Sequence, residues 1–229
     1  CTGSSTCSMI VENELVHYMV FDQDITNTYS WIDVGSVSGV VTNGADNILT
    51  FGKTFSNTPY VFAQVQGDND GGNTLAPSGW VDAITTTGAQ LIGCDHPGTV
   101  DTCAGTTTET FGYVAIDFVS ANISGVSSGV ENIANSAWTT VSFSESYSNP
   151  IIAVYQNSDT GGQDPQYPWA RSVTSTQADV RYCEQDGLGD CDGHSGENIV
   201  WFALEEGLIL IGDKNSNIVD TSITSSHFS

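Results

Sequence analysis

ETFGYVAID at residues 109–117 and ENIVWFALE at residues 197–205 are two versions of one apolar segment, and they decide the fold. Each version begins with a glutamate and ends with an acid, Asp117 or Glu205. A third version, ELVHYMVFD, occupies residues 14–22. Self-similarity at a regular spacing predicts that the chain is built from equivalent structural units.

A cysteine pair precedes every version of this segment. The three pairs are Cys1 with Cys7, Cys94 with Cys103, and Cys183 with Cys191. Six cysteines allow many pairings, and the repeat selects the local bond within each pair. Cysteines that pair with none left over indicate disulfides of an oxidising, extracellular compartment. A zinc site is the alternative, although the spacing lacks the C-x₂-C pattern that is typical of one.

The similarity extends on both sides of the cysteines. SGWVDAITTTGAQLIGC at 78–94 matches YPWARSVTSTQADVRYC at 167–183, with 14 positions from tryptophan to the final cysteine in both. Short runs rich in Val, Ile, Thr and aromatic residues, separated by Gly, Asn, Asp and Ser, are typical of strands and turns. The sequence therefore predicts an all-β chain of tandem antiparallel β-sandwich repeats, with Trp138, Trp201 and Tyr113 in the cores.

The repeat boundaries predict how the chain is divided. We expect one sandwich over residues 31–118 and a second over residues 119–206. Residues 1–30 should hold the closing strand of a partial repeat and a linker. Residues 207–229 should hold a linker and the start of a further partial repeat, so that partial repeats lie at both termini.

The charge balance excludes several partners. Only four residues are basic against 27 acidic ones, which gives a net charge of −23. Nucleic acid is excluded, because phosphate binding relies on lysine and arginine. No apolar run approaches the roughly 18 residues that predict a membrane span. So acidic a surface needs salt or divalent cations to screen it, which favours an extracellular or cell-surface location.

The repeats resemble the H-type lectin domain, a six-stranded antiparallel sandwich found in snail agglutinins and discoidins. In the first repeat the resemblance rests on TFSNTPYVFAQV at 54–65, AITTTGAQLIGC at 83–94 and FGYVAID at 111–117. The second repeat carries VSFSESYSNPIIAVYQ at 141–156, ARSVTSTQADVRYC at 170–183 and IVWFALE at 199–205. Most of these are core and turn positions, so they bear on the fold more than on sugar binding.

The resemblance also implies a carbohydrate site. In these lectins an arginine before the turn and a histidine near the late cysteine contact N-acetylgalactosamine. Arg171 matches that arginine and His96 lies near the place of that histidine, whereas Asp82 replaces the arginine in the first repeat. Trp80 and Trp169 begin matching strands and, if exposed, would be stacking surfaces for a sugar. Each repeat thus retains one part of the family's site.

Two acidic loops, GDNDGGN at 67–73 and NSDTGGQD at 157–164, occupy the same position in the two repeats. Carboxylate oxygens are the ligands that Ca²⁺ prefers, and polar hairpin tips are the alternative interpretation. The candidate calcium ligands are Asp68, Asp70, Asp159 and Asp164. No other cofactor is predicted. Asn122 opens a glycosylation sequon.

The start of the chain inside a repeat favours a structural role. We expect residues 1–22 to add a strand to a neighbouring copy and to build a filament or surface appendage head to tail. The assembly strand would present Val11, Leu15, Val16, Tyr18, Val20 and Phe21. Docking of this segment on its own chain is one alternative, and a carbohydrate-binding adhesive module is another. No enzyme is expected, because the G-x-S-x-G at 125–129 lacks the strand-to-helix context of a nucleophile.

Overall fold

The computed structural model describes residues 25–66, 76–96, 103, 108–121, 123–134, 137–158, 166–185, 191–192, 196–206, 210–212 and 218–220. These residues form antiparallel strands and two helices of a single turn. The all-β fold that the strand-like runs predict is confirmed. None of the described helices is long and apolar enough to cross a bilayer.

The first half of the described chain contains one helix and six strands. They are α1 (Ile25–Thr28), β1 (Ile32–Val41), β2 (Asn43–Thr50), β3 (Tyr60–Val65), β4 (Ala76–Asp82), β5 (Gly88–His96) and β6 (Thr108–Ile116). They form two three-stranded sheets, in the orders β1-β6-β3 and β2-β5-β4.

The second half has the corresponding elements in the same order along the chain. They are α2 (Phe118–Ala121), β7 (Val126–Ile133), β8 (Thr139–Ser142), β9 (Pro150–Gln156), β10 (Gln166–Arg171), β11 (Gln177–Gln185), the short β12 (Cys191–Asp192) and β13 (Glu197–Glu205). One sheet has the order β7-β13-β9, and in the other β11 pairs with β10, β8 and β12. The two halves therefore share one strand order. Beyond them, β14 (Leu210–Gly212) pairs with β15 (Ile218–Asp220).

Each half is a sandwich with its core between its two sheets. Phe111 of β6 and Leu91 of β5 belong to one cluster of buried side chains, although they come from different sheets. In the second half Trp201 of β13 and Val180 of β11 share a cluster in the same way. Alternate residues of a strand face opposite sides of a sheet. The inward-facing set of each central strand is mainly apolar, and the one charged residue in β6 and in β13 that is fully buried is the glutamate that begins the strand's apolar segment.

The turn after β4 and the turn after β10 have the same internal hydrogen bonds. The Thr85 N–H donates to the Gly88 carbonyl and the Thr174 N–H to the Gln177 carbonyl, both at 2.8 Å. The residue that opens each turn has a left-handed backbone, with φ of 47° at Ala83 and 50° at Ser172. Such a φ is uncommon for residues other than glycine, so its recurrence indicates that both turns share one conformation.

The acid that ends each apolar segment binds the loop that leads into the neighbouring edge strand of the same sheet. Asp117 accepts the backbone N–H of Asn57 at 3.0 Å. Glu205 accepts the N–H of Ser148 and of Asn149, both at 2.7 Å. Both loops lead into an edge strand through a proline, and a carboxylate satisfies N–H groups that no ladder reaches. The repeated acid therefore stabilises the entry to β3 and to β9.

The glutamate that begins each segment is buried inside its sandwich. Glu109 and Glu197 are both completely shielded from solvent. The Ser158 hydroxyl donates to Glu197, and the same hydroxyl oxygen accepts the Asn198 N–H at 2.7 Å. A buried carboxylate needs hydrogen-bond donors of this kind, because its desolvation is otherwise costly.

Ser127, the serine of the G-x-S-x-G pattern, lies in strand β7 and is buried. Its oxygen is 2.8 Å from the Tyr147 hydroxyl and accepts the Ser144 N–H at 2.9 Å. These contacts tie β7 to the loop that follows β8. The geometry of this serine is that of a structural residue inside the sandwich.

Aromatic side chains join the two sandwiches. Phe62 of β3 meets Phe202 of β13 edge to face, with ring centroids 5.0 Å apart. Phe118, in the connection between the halves, lies 5.5 Å from the same Phe202 ring. The Tyr155 hydroxyl donates to the Gly79 carbonyl at 2.7 Å, and burial raises the pKa of that phenol above its usual range. The hydroxyl therefore remains a donor at physiological pH.

Asn157 completes this interface by occupying the free edge of β3. Its side-chain amide donates to the Val61 carbonyl at 2.7 Å, and its oxygen accepts the Val61 N–H at 3.1 Å. The amide thus makes the two hydrogen bonds that a further strand would make. Unpaired backbone groups of an edge strand are satisfied in this way without another strand.

We expect Glu205→Ala to lower the free energy of unfolding by about 1.5–3 kcal/mol, because two backbone N–H groups lose a charged acceptor. Glu206→Ala is the matched control, since Glu206 is the exposed next residue and its removal changes the net charge equally. Urea denaturation followed by tryptophan fluorescence measures both. Equal effects of the two substitutions would contradict the role given to Glu205.

Asn157→Ala should cost about 1–3 kcal/mol, the contribution of two neutral hydrogen bonds at a shielded strand edge. Asn198→Ala serves as the control, because Asn198 is exposed and its side-chain oxygen accepts from the Asn132 amide of the same sandwich. The same denaturation measurement applies. A loss no larger than that of Asn198→Ala would show that the amide does not stabilise the β3 edge.

Candidate functional site

The outer face of strand β11 carries polar and charged side chains because its inner face is occupied by the core. Ala178, Val180 and Tyr182 are fully buried in the second sandwich. The residues between them, Asp179 and Arg181, must then point away from that core, because successive side chains of a strand alternate. This face of the β8-β11-β10 sheet is the surface considered as a binding site.

A row of three side chains crosses this face at Arg181. Trp169 of β10 lies directly opposite Arg181 in the strand register. Trp138 precedes β8, whose first residue, Thr139, pairs with Val180, so Trp138 lies on the other side of Arg181. The Cζ atom of Arg181 is 4.5 Å from the centre of the Trp138 ring and 4.6 Å from that of Trp169. Both distances suit a cation–π contact.

A second row lies two residue pairs further along the strands, on the same face. The Nε atom of Arg171 is 3.6 Å from Oδ2 of Asp179, and the Thr140 hydroxyl donates to Oδ1 of Asp179 at 2.9 Å. The Cζ atom of Arg171 also lies 3.8 Å from the centre of the Trp138 ring. We call the five residues Trp138, Trp169, Arg171, Asp179 and Arg181 the Trp–Arg face.

The Trp–Arg face is open to solvent. Trp169 is 47% exposed, and the side chain of Arg171 is 53% exposed. An indole is a large apolar surface whose burial would contribute about 1.5–3 kcal/mol. Leaving it exposed is unfavourable unless something covers it in use, and exposed aromatic residues are enriched at binding surfaces.

The face also concentrates positive charge on a very acidic chain. It holds two of the four basic residues, against 27 acids in the whole protein. A third, Lys53, is engaged elsewhere, because its ammonium donates to the Thr26 and Tyr29 carbonyls and burial lowers its pKa, an effect that nearby Asp33 opposes. The fourth, Lys214, lies outside the described residues. With one carboxylate and two guanidinium groups, the Trp–Arg face has a net positive charge.

The corresponding face of the first sandwich is closed at the positions that match Trp169 and Arg181. Trp80 occupies the place of Trp169, and its partner in the register is Ile92 where the second sandwich has Arg181. Trp80 is only 1% exposed and packs with Ile92, Cys94 and Cys103. Trp80, predicted as a stacking surface, therefore presents no open ring face in this structure. Asp82 takes the place of Arg171, so this face lacks both arginines.

The four residues expected to bind carbohydrate divide between two sheets. Arg171 and Trp169 lie on β10 and share the Trp–Arg face. Trp80 and His96 belong to β4 and β5 of the first sandwich. His96 ends β5, and its side chain lies outside the described part of the structure. The structure thus brings together only the arginine and tryptophan of the second repeat.

The disulfides can be followed for part of the chain. Cys94 and Cys103 are bonded, with their Cα atoms 4.9 Å apart. Cys183 is also in a disulfide, and Cys191 lies opposite Gln185 in the backbone register, two positions from Cys183. This placement agrees with the predicted Cys183–Cys191 bond. Cys1 and Cys7 lie outside the described residues.

Several other predicted sites also lie outside the described residues. They are the calcium ligands Asp68, Asp70, Asp159 and Asp164, the sequon residue Asn122, and the assembly strand from Val11 to Phe21 with Leu15, Val16, Tyr18 and Val20. Within the part of the chain that the structure covers, no three His, Cys, Asp or Glu side chains come together as a metal site. The predicted calcium, glycosylation and assembly residues therefore remain predictions.

Three residues of the Trp–Arg face, Trp138, Asp179 and Arg181, were not predicted as site residues. Trp138 was expected in a core, and this is corrected: it is half-buried on the outer face, whereas Trp201 and Tyr113 are core residues. Arg181 was overlooked. The alternation in ADVRYC, residues 178–183, contains the missing signal, because a buried Val180 forces Arg181 outward. The same parity, counted back from buried Val141, places Trp138 outside.

Comparison with known proteins adds no further assignment: no family model, no curated protein and no solved structure matches the chain.

Proposed function

We propose that this protein is a non-enzymatic, extracellular carbohydrate-binding protein and that the Trp–Arg face is its sugar site. The observation that supports this most directly is the exposure of Trp169 beside two guanidinium groups. The resemblance of the repeats to the H-type lectin domain supports the same class of ligand.

The chemistry of the Trp–Arg face suits a sugar. A pyranose ring has an apolar face of C–H groups, which stacks on an indole, and a rim of hydroxyl groups, which need hydrogen-bond partners. Trp169 provides the flat apolar surface. Arg171 and Arg181 provide donors, and Asp179 provides an acceptor beside them. A few fixed polar groups around an apolar surface are typical of small-ligand sites.

The face is also well ordered for binding. Arg171 is held by Asp179, and Asp179 is held in turn by Thr140. Arg181 lies between two rings on the central strand of its sheet. Side chains that are fixed before the ligand arrives lose less conformational entropy on binding. The packing of the sheet therefore contributes to affinity through side chains that the ligand contacts.

Assembly into a filament is a second proposed function, which would use residues 1–22 as an added strand. One observation favours it: the two sandwiches already dock side by side, with Asn157 of the second half hydrogen-bonded to the β3 edge of the first. Edge docking is thus a contact that this fold makes. Both proposals place the protein outside the cell, and a surface appendage that also binds sugar would combine them.

We expect Trp169→Ala to weaken sugar binding by about 10-fold or more, because the indole supplies most of the apolar contact. A glycan array identifies the ligand, and titration calorimetry measures the loss. Ile48→Ala is the matched control, since Ile48 is 82% exposed on the corresponding sheet of the first sandwich. Array binding that Trp169→Ala leaves unchanged would place the sugar site elsewhere, and an array without any bound glycan would refute the proposal.

For assembly, light scattering of the purified chain should show masses above the monomer, and Val16→Asp should reduce them, because a buried charge in an added strand is costly. The measurement is repeated at several concentrations of salt and of calcium. A monomer under all conditions would contradict the assembly proposal and leave the sugar proposal standing.

A further inference from the structure

We infer that the ligand of the Trp–Arg face is an acidic sugar, whose carboxylate binds the guanidinium of Arg181 while a sugar ring stacks on Trp169. This inference rests on the proposed function and narrows it to one class of glycan. It rests on the difference in charge pairing between Arg171 and Arg181.

The charge of Arg171 is balanced by a carboxylate, whereas that of Arg181 is not balanced by any residue that the structure describes. The carboxylate is that of Asp179, at 3.6 Å. Among the residues that the structure describes, no carboxylate pairs with Arg181 and no hydrogen bond satisfies it; its Nε atom is buried without a partner. Arg181 as a whole is only partly buried. We take its two terminal nitrogens as the donors that a ligand can reach.

A carboxylate matches these donors in shape and charge. The two terminal nitrogens of a guanidinium form a planar fork that binds both oxygens of a carboxylate, and such charge-assisted pairs are among the strongest hydrogen bonds in proteins. Trp138 and Trp169 lie on either side of Arg181, with ring centres 4.5 and 4.6 Å from Cζ. The rings hold the fork in place without supplying an acceptor of their own.

The acidity of the chain makes the lack of a carboxylate beside Arg181 significant. With 27 acids in the chain, carboxylates are abundant, and even so the described residues leave Arg181 without one. The corresponding row of the first sandwich contains Ile92 and Trp80 and is closed to solvent. An acidic sugar would find no cation there. The inference therefore predicts one acidic-sugar site in each chain, in the second sandwich.

The net charge of −23 repels an acidic ligand at long range. The attraction between the ligand's carboxylate and Arg181 acts only at direct contact, where salt screens it less. At physiological salt the screening length is about 8 Å, so distant acids are damped while a direct contact is not. Affinity should therefore be measured at about this ionic strength. At low salt the repulsion would hide the site.

The test is titration calorimetry of the intact protein at physiological salt with trigalacturonate and with sialyllactose, each beside its methyl ester. At least one of the two acids should bind with one site per chain, and its ester should bind about 10- to 100-fold more weakly, because the ester has no charge and cannot present two equivalent oxygens to the fork. Arg181→Gln should reduce binding of the acid to the level of the ester. Arg181→Lys, which keeps the charge without the fork, should bind the acid with an affinity between those of the unsubstituted protein and Arg181→Gln.

Arg171→Gln is the comparison that separates this inference from general charge attraction, since it removes the same charge from the same face. Its effect should be several-fold smaller than that of Arg181→Gln, because Asp179 already engages Arg171. Unfolding midpoints of all variants, measured in parallel, show that the folds are intact. Equal losses from the two substitutions would overturn the assignment of Arg181.

Further outcomes also decide against the inference. If neither acid binds, or if each ester binds as well as its acid, the ligand is not a carboxylate sugar. The sugar proposal would still stand if an array shows neutral glycans bound in a manner that requires Trp169. A sulfated lactose that binds more tightly than both acids would reassign the site to sulfate esters. Self-association that Arg181→Gln abolishes would assign the face to an acidic segment of a second copy.

Discussion

The alternation of side chains along β11 is the constraint on which both the second sandwich and its candidate site depend. Three inward residues, Ala178, Val180 and Tyr182, are fully buried and fix the orientation of the strand. A shift of one residue would place arginine in the core and tyrosine in water, so the register is strongly determined. The same choice that makes the core therefore places Asp179 and Arg181 on the outer face between β8 and β10.

The two halves show how the same row of a sheet can be open in one sandwich and closed in the other. Both have the same strand order and the same turn hydrogen bonds. In the first half, Ile92 and Trp80 pack with the Cys94–Cys103 disulfide and become a small satellite core. In the second half, arginine replaces isoleucine, and the matching tryptophan is exposed. A guanidinium is costly to bury without a partner, which keeps that face from closing in the same way.

The sequence was sufficient for the fold class, because strand-length apolar runs with a period of two are a local signal. The resemblance to the lectin domain predicted a role for Arg171, and the match between the repeats predicted one for Trp169; the structure places both on one face. The sequence could not separate Trp169 from Trp80, since they occupy equivalent positions in β10 and β4 and differ only in what packs over the sheet. Burial of that kind depends on distant parts of the chain, such as Cys103 beside Trp80. Trp138 and Arg181 were within reach, because the parity of their strands places them outside.

The amide of Asn157 also has a consequence for any growth of this protein into polymers. At Val61 the second sandwich already fills both hydrogen-bonding positions of the β3 edge. A strand from another molecule would first have to displace it, so the chain protects one of its own edges by an internal contact. Polymerisation by addition of a strand from a neighbouring copy must then begin at a different sheet edge. The direction in which a fibre could extend is thus constrained by one asparagine inside a single molecule.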